Sequence, residues 1–273
     1  MLNQIKADLK YMTKTATFKT DPNFPEIIFE DKNYLVINKP AGLAVHAGGN
    51  LKEKTLADFL IERYPKIKEV GDDPIRPGIV HRLDKDVSGL MVIALTNKSF
   101  ENLKEQFKTR EINKNYLALV YGKVSKENDI INFPIKRSRD GYKMAALPLN
   151  TEELLTRHTP KNRDQGNIAG VFSSKEAITE FKIIKRLINY TYLDVKIKTG
   201  RTHQIRVHFF AYGHPLVGDT LYNTKKTKFK NQKLNLGRVF LVAYKLSFMD
   251  LNGEKKEFKI GLPKELETFL PKF

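Results

Sequence analysis

Three short apolar runs constrain the fold of this chain more than any other feature: residues 34–38 (YLVIN), 90–95 (LMVIAL) and 116–121 (YLALVY). Each has the length of a strand and is rich in β-branched or aromatic residues. None shows the polar alternation of a strand with one wet face, so all three read as interior strands covered on both sides. Residues 182–187 and 191–198 read as a further pair turning about Asn189, and Leu193, Val195 and Ile197 alternate with polar residues in the second. Residues 239–248 add a late strand. Helical spacing is rarer. Leu56, Phe59, Leu60 and Tyr64 share one helix face ahead of Pro65, and Phe100, Leu103 and Phe107 share another after a cap at Asn97. A third helix is expected over residues 201–212, closed by Gly213. Strands outnumber helices and do not alternate strictly with them. The expected class is α+β around a large bent mixed or antiparallel sheet, not a doubly wound nucleotide fold.

The chain has 273 residues, 41% of them hydrophobic, enough for one sizeable core. Residues 1–25 read as a basic arm ending in Asp21-Pro22-Asn23-Phe24-Pro25, and residues 26–273 as one catalytic domain. Within it, 150–170 is polar and aperiodic, as expected of a long surface loop or insertion. No apolar run reaches the roughly 20 residues of a membrane span, and the N-terminus lacks a secretory core. A soluble cytoplasmic protein is expected. Cysteine is absent, which excludes disulfides, thiolate catalysis and cysteine-based zinc sites. His203 and His208 are poorly spaced for a metal and lack an acidic cluster, so no metal is expected. The formal net charge of +17 favours a polyanionic partner, although a lysine-rich solvated surface would give the same count. Five lysines at 225, 226, 228, 230 and 233 have no acid among them. That stretch reads equally as a solvated loop or as a contact to RNA backbone.

Chemistry concentrates in three segments beside the apolar runs: residues 37–46 (INKPAGLAVH), 78–89 (GIVHRLDKDVSG) and 199–208 (TGRTHQIRVH). In the second, Asp84 stands among His81, Arg82 and Lys85. A carboxylate set among cations stays ionised, as a nucleophile requires. A loop aspartate that caps a turn is the plain alternative, but here the loop is wedged between Pro/Gly punctuation and a buried strand. In the third, Arg201 follows Thr199-Gly200 at an expected helix start, a place suited to anions. Gln204 and Arg206 lie close behind it as possible donors or plain surface. His81-Arg82-Leu83-Asp84 is not a kinase loop: Leu83 interrupts it, position 89 is Gly, and the companion motifs are missing. No phosphate-cradling Gly-rich loop occurs.

These segments, with residues 110–122 (REINKNYLALVYG) and the continuation of the third through Asp219, closely resemble in order and spacing the motifs of the large-subunit-rRNA (RluA-type) pseudouridine synthases. The resemblance spans roughly residues 27–223. It implies the pseudouridine synthase fold with a central cleft, no cofactor, no metal, and RNA as partner: large-subunit rRNA first, tRNA second. A monomer with no obligate protein partner is expected. The resemblance implies that Asp84 is the nucleophile, Tyr116 stacks on the target base, Arg201 pairs with Asp84, and Ile205 packs beneath the site. Arg82 would fill the place of a flipped nucleotide, and His81, Gln204 and Arg206 would be further RNA contacts. Many relatives carry an N-terminal RNA-binding module of the small ribosomal-protein type, for which the residues ahead of the catalytic region leave no room. The competing class is an RNA-binding or ribosome-assembly protein without essential catalysis.

Overall fold

The computed structural model describes residues 24–48, 53–138, 141, 143–147 and 174–270. Most of the expected basic arm (1–23) and all of the expected insertion (150–170) lie outside the described residues.

The chain runs β1 (Glu26–Glu30), β2 (Tyr34–Lys39), α1 (Leu56–Arg63), a 3-10 turn (Pro65–Glu69), β3 (Ser88–Ala94), α2 (Asn97–Lys108), β4 (Asn113–Tyr121), β5 (Asn128–Ile131), β6 (Ile135–Arg137) and β7 (Met144–Ala146). It continues through β8 (Thr179–Arg186), β9 (Tyr190–Ile197), α3 (Gln204–Ala211), α4 (Lys225–Leu234), β10 (Leu241–Met249), β11 (Lys255–Lys259) and α5 (Lys264–Glu267). Nine strands form one sheet in the order β1-β2-β3-β10-β4-β9-β8-β5, with β11 added on β10, while β6 and β7 pair separately. The only parallel pairing among these is β3 with β10. The expected α+β class with a large mixed sheet is what the chain adopts.

The apolar runs fall in β2, β3 and β4, and the reason is visible in β4. Tyr116, Ala118 and Val120 enter the main core, and Leu119 and Tyr121 enter a second core on the other face. Both faces are covered, so the run needs no polar alternation. Every residue of β3 is buried. It meets β10 at Ser88 and Gly89. Gly89 has φ +127, and a Cβ there would stand 2.3 Å from the Ala243 carbonyl oxygen. Only glycine lets the two backbones close at this point, directly behind the Asp84 loop.

Helix ends differ from expectation in three places. The cap of α2 is Thr96, whose hydroxyl accepts from Ser99 N. Asn97 instead reaches sideways, accepting from Gly71 N and donating to the Glu69 carbonyl. α3 starts at Gln204, three residues later than expected, because its cap His203 is held in a left-handed conformation (φ 54). The lysine-rich stretch is neither loop nor extended: it forms α4, opened by a reciprocal Thr224–Thr227 capping box.

Candidate active site

The Asp84 loop is pinned from both sides before it reaches the site. Gly78 N donates to the Val70 carbonyl, Ala94 N donates to the Gly78 carbonyl, and Val87 N closes a turn on the Asp84 carbonyl at 3.1 Å. Leu83 and Val87 are buried, anchoring the turn on either side of Asp84. Behind it lies Lys39, fully buried at the end of β2. Its ammonium donates to the carbonyls of Pro40 and Leu43, each at 2.8 Å, and of Lys85 at 3.3 Å. Gly42 N also donates to Lys85 O. The first motif is thus a bracket for the second. Burial pushes the Lys39 ammonium down to about 7, with Asp84 pulling the other way.

Asp84 opens into a cavity of about 450 Å³, a size suited to one small ligand group. Arg206 Nη1 lies 3.4 Å from Asp84 Oδ2. Arg206 is itself fixed by Asp219: Nε to Oδ2 at 2.8 Å and Nη2 to Oδ1 at 2.9 Å. Asp219 is 1% exposed and also accepts from the N–H groups of Leu221 and Tyr222. Its position depends on Gly218 (φ +76), where a Cβ would meet the Arg238 carbonyl oxygen at 2.0 Å. One guanidinium therefore bridges two carboxylates, one buried and one mostly buried, where charge–charge attraction is stronger than in open solvent.

His203 supplies the other neighbour. Its Nε2 lies 4.0 Å from Asp84 Oδ2, and its Nδ1 is 2.9 Å from the Tyr222 hydroxyl. That hydroxyl also accepts from Met144 N. Burial, opposed by Asp84, keeps the ring below the usual histidine range and so favours the neutral form. Both neighbours sit on Oδ2. Among the described residues Oδ1 has no hydrogen-bond partner.

The other expected residues sort by what their polar atoms already do. Tyr116 and Ile205 are buried and line the cavity. Burial, then Asp84, pushes the Tyr116 hydroxyl above its ordinary value. Arg82 is exposed at the rim, resting on His46 Nε2 at 2.9 Å, while His46 Nδ1 donates to the Ala47 carbonyl. Arg201 lines the cavity but does not pair with Asp84. It precedes α3 and donates Nε–H to the Glu176 carbonyl, and Arg206, inside the first turn of the late-starting helix, takes the pairing role. Gln204, expected as an RNA contact, is 3% exposed and fully committed. It accepts from Thr199 Oγ1 and Arg201 N, and it donates to Ile178 O and Thr179 Oγ1. His81 is half-buried and lines the cavity, where Nε2 accepts from Val92 N and the ring stacks on Phe107 at 4.7 Å. Burial, then Lys114, pushes that ring down to about 3.

Sequence reasoning did not single out His203, Asp219, Tyr222 or Lys114 for this site. Lys114 lines the wall with its ammonium 4.9 Å from the Phe107 ring, and burial pushes it down to about 8. The one signal was position: His203 and Asp219 lie within the third motif, and Lys114 is two residues before Tyr116. Among the described residues no three His, Asp or Glu groups are placed to hold a metal ion.

Comparison with known proteins adds three findings. The family described as RNA pseudouridylate synthase matches residues 33–211. An RNA pseudouridine synthase of Aquifex aeolicus is 39% identical over 90% of this chain and 72% of its own length. The ribosomal large subunit pseudouridine synthase D of Buchnera aphidicola (subsp. Schizaphis graminum) is 33% identical over 94% of this chain and 78% of its own. Among solved structures, human RNA pseudouridylate synthase domain containing 4 superposes with a TM-score of 0.61 at 25% identity, covering 89% of this chain and 90% of that one.

Proposed function

The chain belongs to the RNA pseudouridylate synthase family, isomerases that act on RNA, and on that premise we propose that it makes pseudouridine in large-subunit ribosomal RNA with Asp84 as nucleophile. The observation that carries the reading is the state of the Asp84 carboxylate in a cavity also lined by Tyr116 and Ile205: Oδ2 is held by Arg206 and faced by His203, and among the described residues Oδ1 has no hydrogen-bond partner.

The reaction conserves all atoms. The bond from sugar C1′ to N1 breaks, the uracil turns, and C1′ joins C5. The proton leaving C5 is balanced by one gained at N1. No metal or cofactor is called for. Two routes use the same oxygen: Asp84 Oδ1 adds to C1′, or it takes the C2′ proton to give a glycal. In both, Arg206 steadies the charge on the carboxylate while the detached base pivots between Tyr116 and the wall. A closed site keeps water from the sugar and from the free base.

A uridine inside helical RNA must leave its stack to reach Asp84, at a cost of a few kcal/mol. Tyr116 offsets part of it by stacking, worth about 1–3 kcal/mol. Among the described residues Arg82 is hydrogen-bonded only to His46 at the rim, which leaves it able to swing into the gap the base leaves. The choice of large-subunit rRNA rests on the names of several relatives, those of Buchnera and Zymomonas mobilis among them. Mapping pseudouridine in total RNA from a strain lacking the gene tests it. Loss of sites in large-subunit rRNA is expected. Loss confined to tRNA overturns the substrate, and free uracil as product of the purified protein overturns the reaction.

A further inference from the structure

We propose that the outer face of α4 is a second contact site for RNA, gripping the phosphodiester backbone beside the target uridine. This rests on the RNA-isomerase reading above and extends it to a surface outside the cavity.

The helix sequence is KKTKFKNQKL. At 3.6 residues per turn, Thr227, Lys230, Asn231 and Leu234 share one face, and these are its buried or half-buried positions. Lys225, Lys226, Lys228 and Lys233 share the opposite face with Phe229 at its centre, and all five are exposed. Phe229 is 57% exposed, with the Lys233 ammonium 4.6 Å above its ring. Among the described residues none of these lysines has a carboxylate within ion-pair distance. On α2, by contrast, Lys104 meets Asp72 and Glu101, and Lys108 meets Glu105, although among the described residues Lys98 has no such partner. Like charges three and four apart on a helix repel. A solvated helix with no charged partner gains nothing by keeping that repulsion. A helix that meets a polyanion gains from each ammonium group through counterion release.

The inner face of α4 ties this surface to the reaction site. Asn231 Oδ1 accepts from Gly218 N and from the Tyr121 hydroxyl, and its Nδ2 donates to the Asp219 carbonyl. The peptide that holds Asp219, and through it Arg206, is therefore clamped to α4. A rigid mount is what a surface needs if phosphate binding is to position a base elsewhere. The exposed Phe229 ring among four ammonium groups suits the face of an unpaired base stacked between phosphate contacts.

The test is a full-length variant in which Lys225, Lys226, Lys228 and Lys233 are replaced by Gln, a residue of equal helix propensity. Its comparator replaces the exposed Lys66, Lys68, Lys98 and Lys264 by Gln, giving the same net charge. Binding to a structured rRNA fragment is measured from low to high salt, with steady-state tritium release in parallel. For the α4 variant the slope of log affinity against log salt should fall by about 3, following roughly 0.7–0.9 per lost phosphate contact. KM should rise on the order of tenfold, and kcat should stay within about twofold. The comparator should change the slope by less than about 1. Equal slopes for the two variants, or an unchanged slope for the α4 variant, overturn the proposal. So does loss of binding to phosphatidylserine vesicles with RNA binding intact, which assigns the face to a membrane. The two readings fail separately: absence of tritium release from the wild type defeats the isomerase reading, whereas the salt slope still decides this one.

Discussion

Arg206 on α3 and Lys228 on α4 are both cations of one basic chain, yet they stand in opposite surroundings. Arg206 is 3% exposed with a carboxylate oxygen on each of its three guanidinium nitrogens, and Lys228 is exposed with none among the described residues. Around Arg206 the pairing extends down to the backbone N–H groups that hold Asp219. Around Lys228 the only order is helical. Geometry fixed without the substrate favours chemistry, because the charge needs no rearrangement when the transition state forms. Charge left free favours capture, because its energy is released only when the polyanion arrives. The contrast teaches that a net charge of +17 says nothing about the candidate site itself: the cation paired with Asp84 is among the most buried of the described residues' cations.

The strongest way to break the contrast is at Arg206. Arg206→Met leaves Asp219 buried without a cation, at roughly 3–5 kcal/mol of stability. Arg206→Lys keeps a charge but not the fork. It should stay folded and lose on the order of 10²-fold in kcat at little change in KM, the reverse of the pattern expected on α4. Thermal unfolding with single-turnover kinetics reads both. A lysine variant as active as wild type would reduce Arg206 to a structural tie.

Acid sharpens the contrast next. His208, also on α3, is fully buried, with Nδ1 on Thr179 Oγ1 and Nε2 on the Phe133 carbonyl. Burial, opposed by that carbonyl, pushes the ring down to about 4. The unfolded chain takes up this proton near pH 6.5 and the native one refuses it until about 4. Stability is therefore complete above 6.5 and lost as pH falls through that window, by about 3 kcal/mol. Urea midpoints at pH 7 and 4.5 should show a smaller acid loss for His208→Gln than for wild type. An identical loss in both would mean His208 contributes no linkage.

The smallest of these effects is at His203. Asn tolerates the left-handed backbone, so His203→Asn keeps the start of α3 and removes the ring beside Asp84. About a tenfold fall in kcat is expected, with the unfolding midpoint unchanged. His203→Gly should match it. If both variants turn over like wild type, His203 only bends the chain.

What was legible in the sequence follows from which interactions are local. β2, β3 and β4 could be read because burial on two faces writes a continuous apolar run. α1 could be read from its stripe and from Pro65. Asp84 could be read because tight turns around a polar loop leave a mark in glycine and proline. The helix start at 204 could not, since a left-handed non-glycine residue has no composition signal, and that three-residue shift exchanged Arg201 for Arg206. Gln204 looked free because the four bonds that use it come from Thr199, Arg201 and the far-off pair Ile178 and Thr179. α4 was hidden because it carries no apolar stripe; part of its hold on the body is Asn231, a polar contact set by tertiary structure. Asp219 was visible as a residue but not as the partner of Arg206, because proximity in space is not written in spacing.

The proposed chemistry depends on one carboxylate, and tritium release from a structured rRNA fragment labelled at uridine C5 measures its work directly. Wild type should release tritium to completion. Asp84→Asn, with an unchanged unfolding midpoint and RNA affinity, should fall by on the order of 10³-fold or more. Release by Asp84→Asn within tenfold of wild type would contradict the assignment of Asp84 as the reacting group.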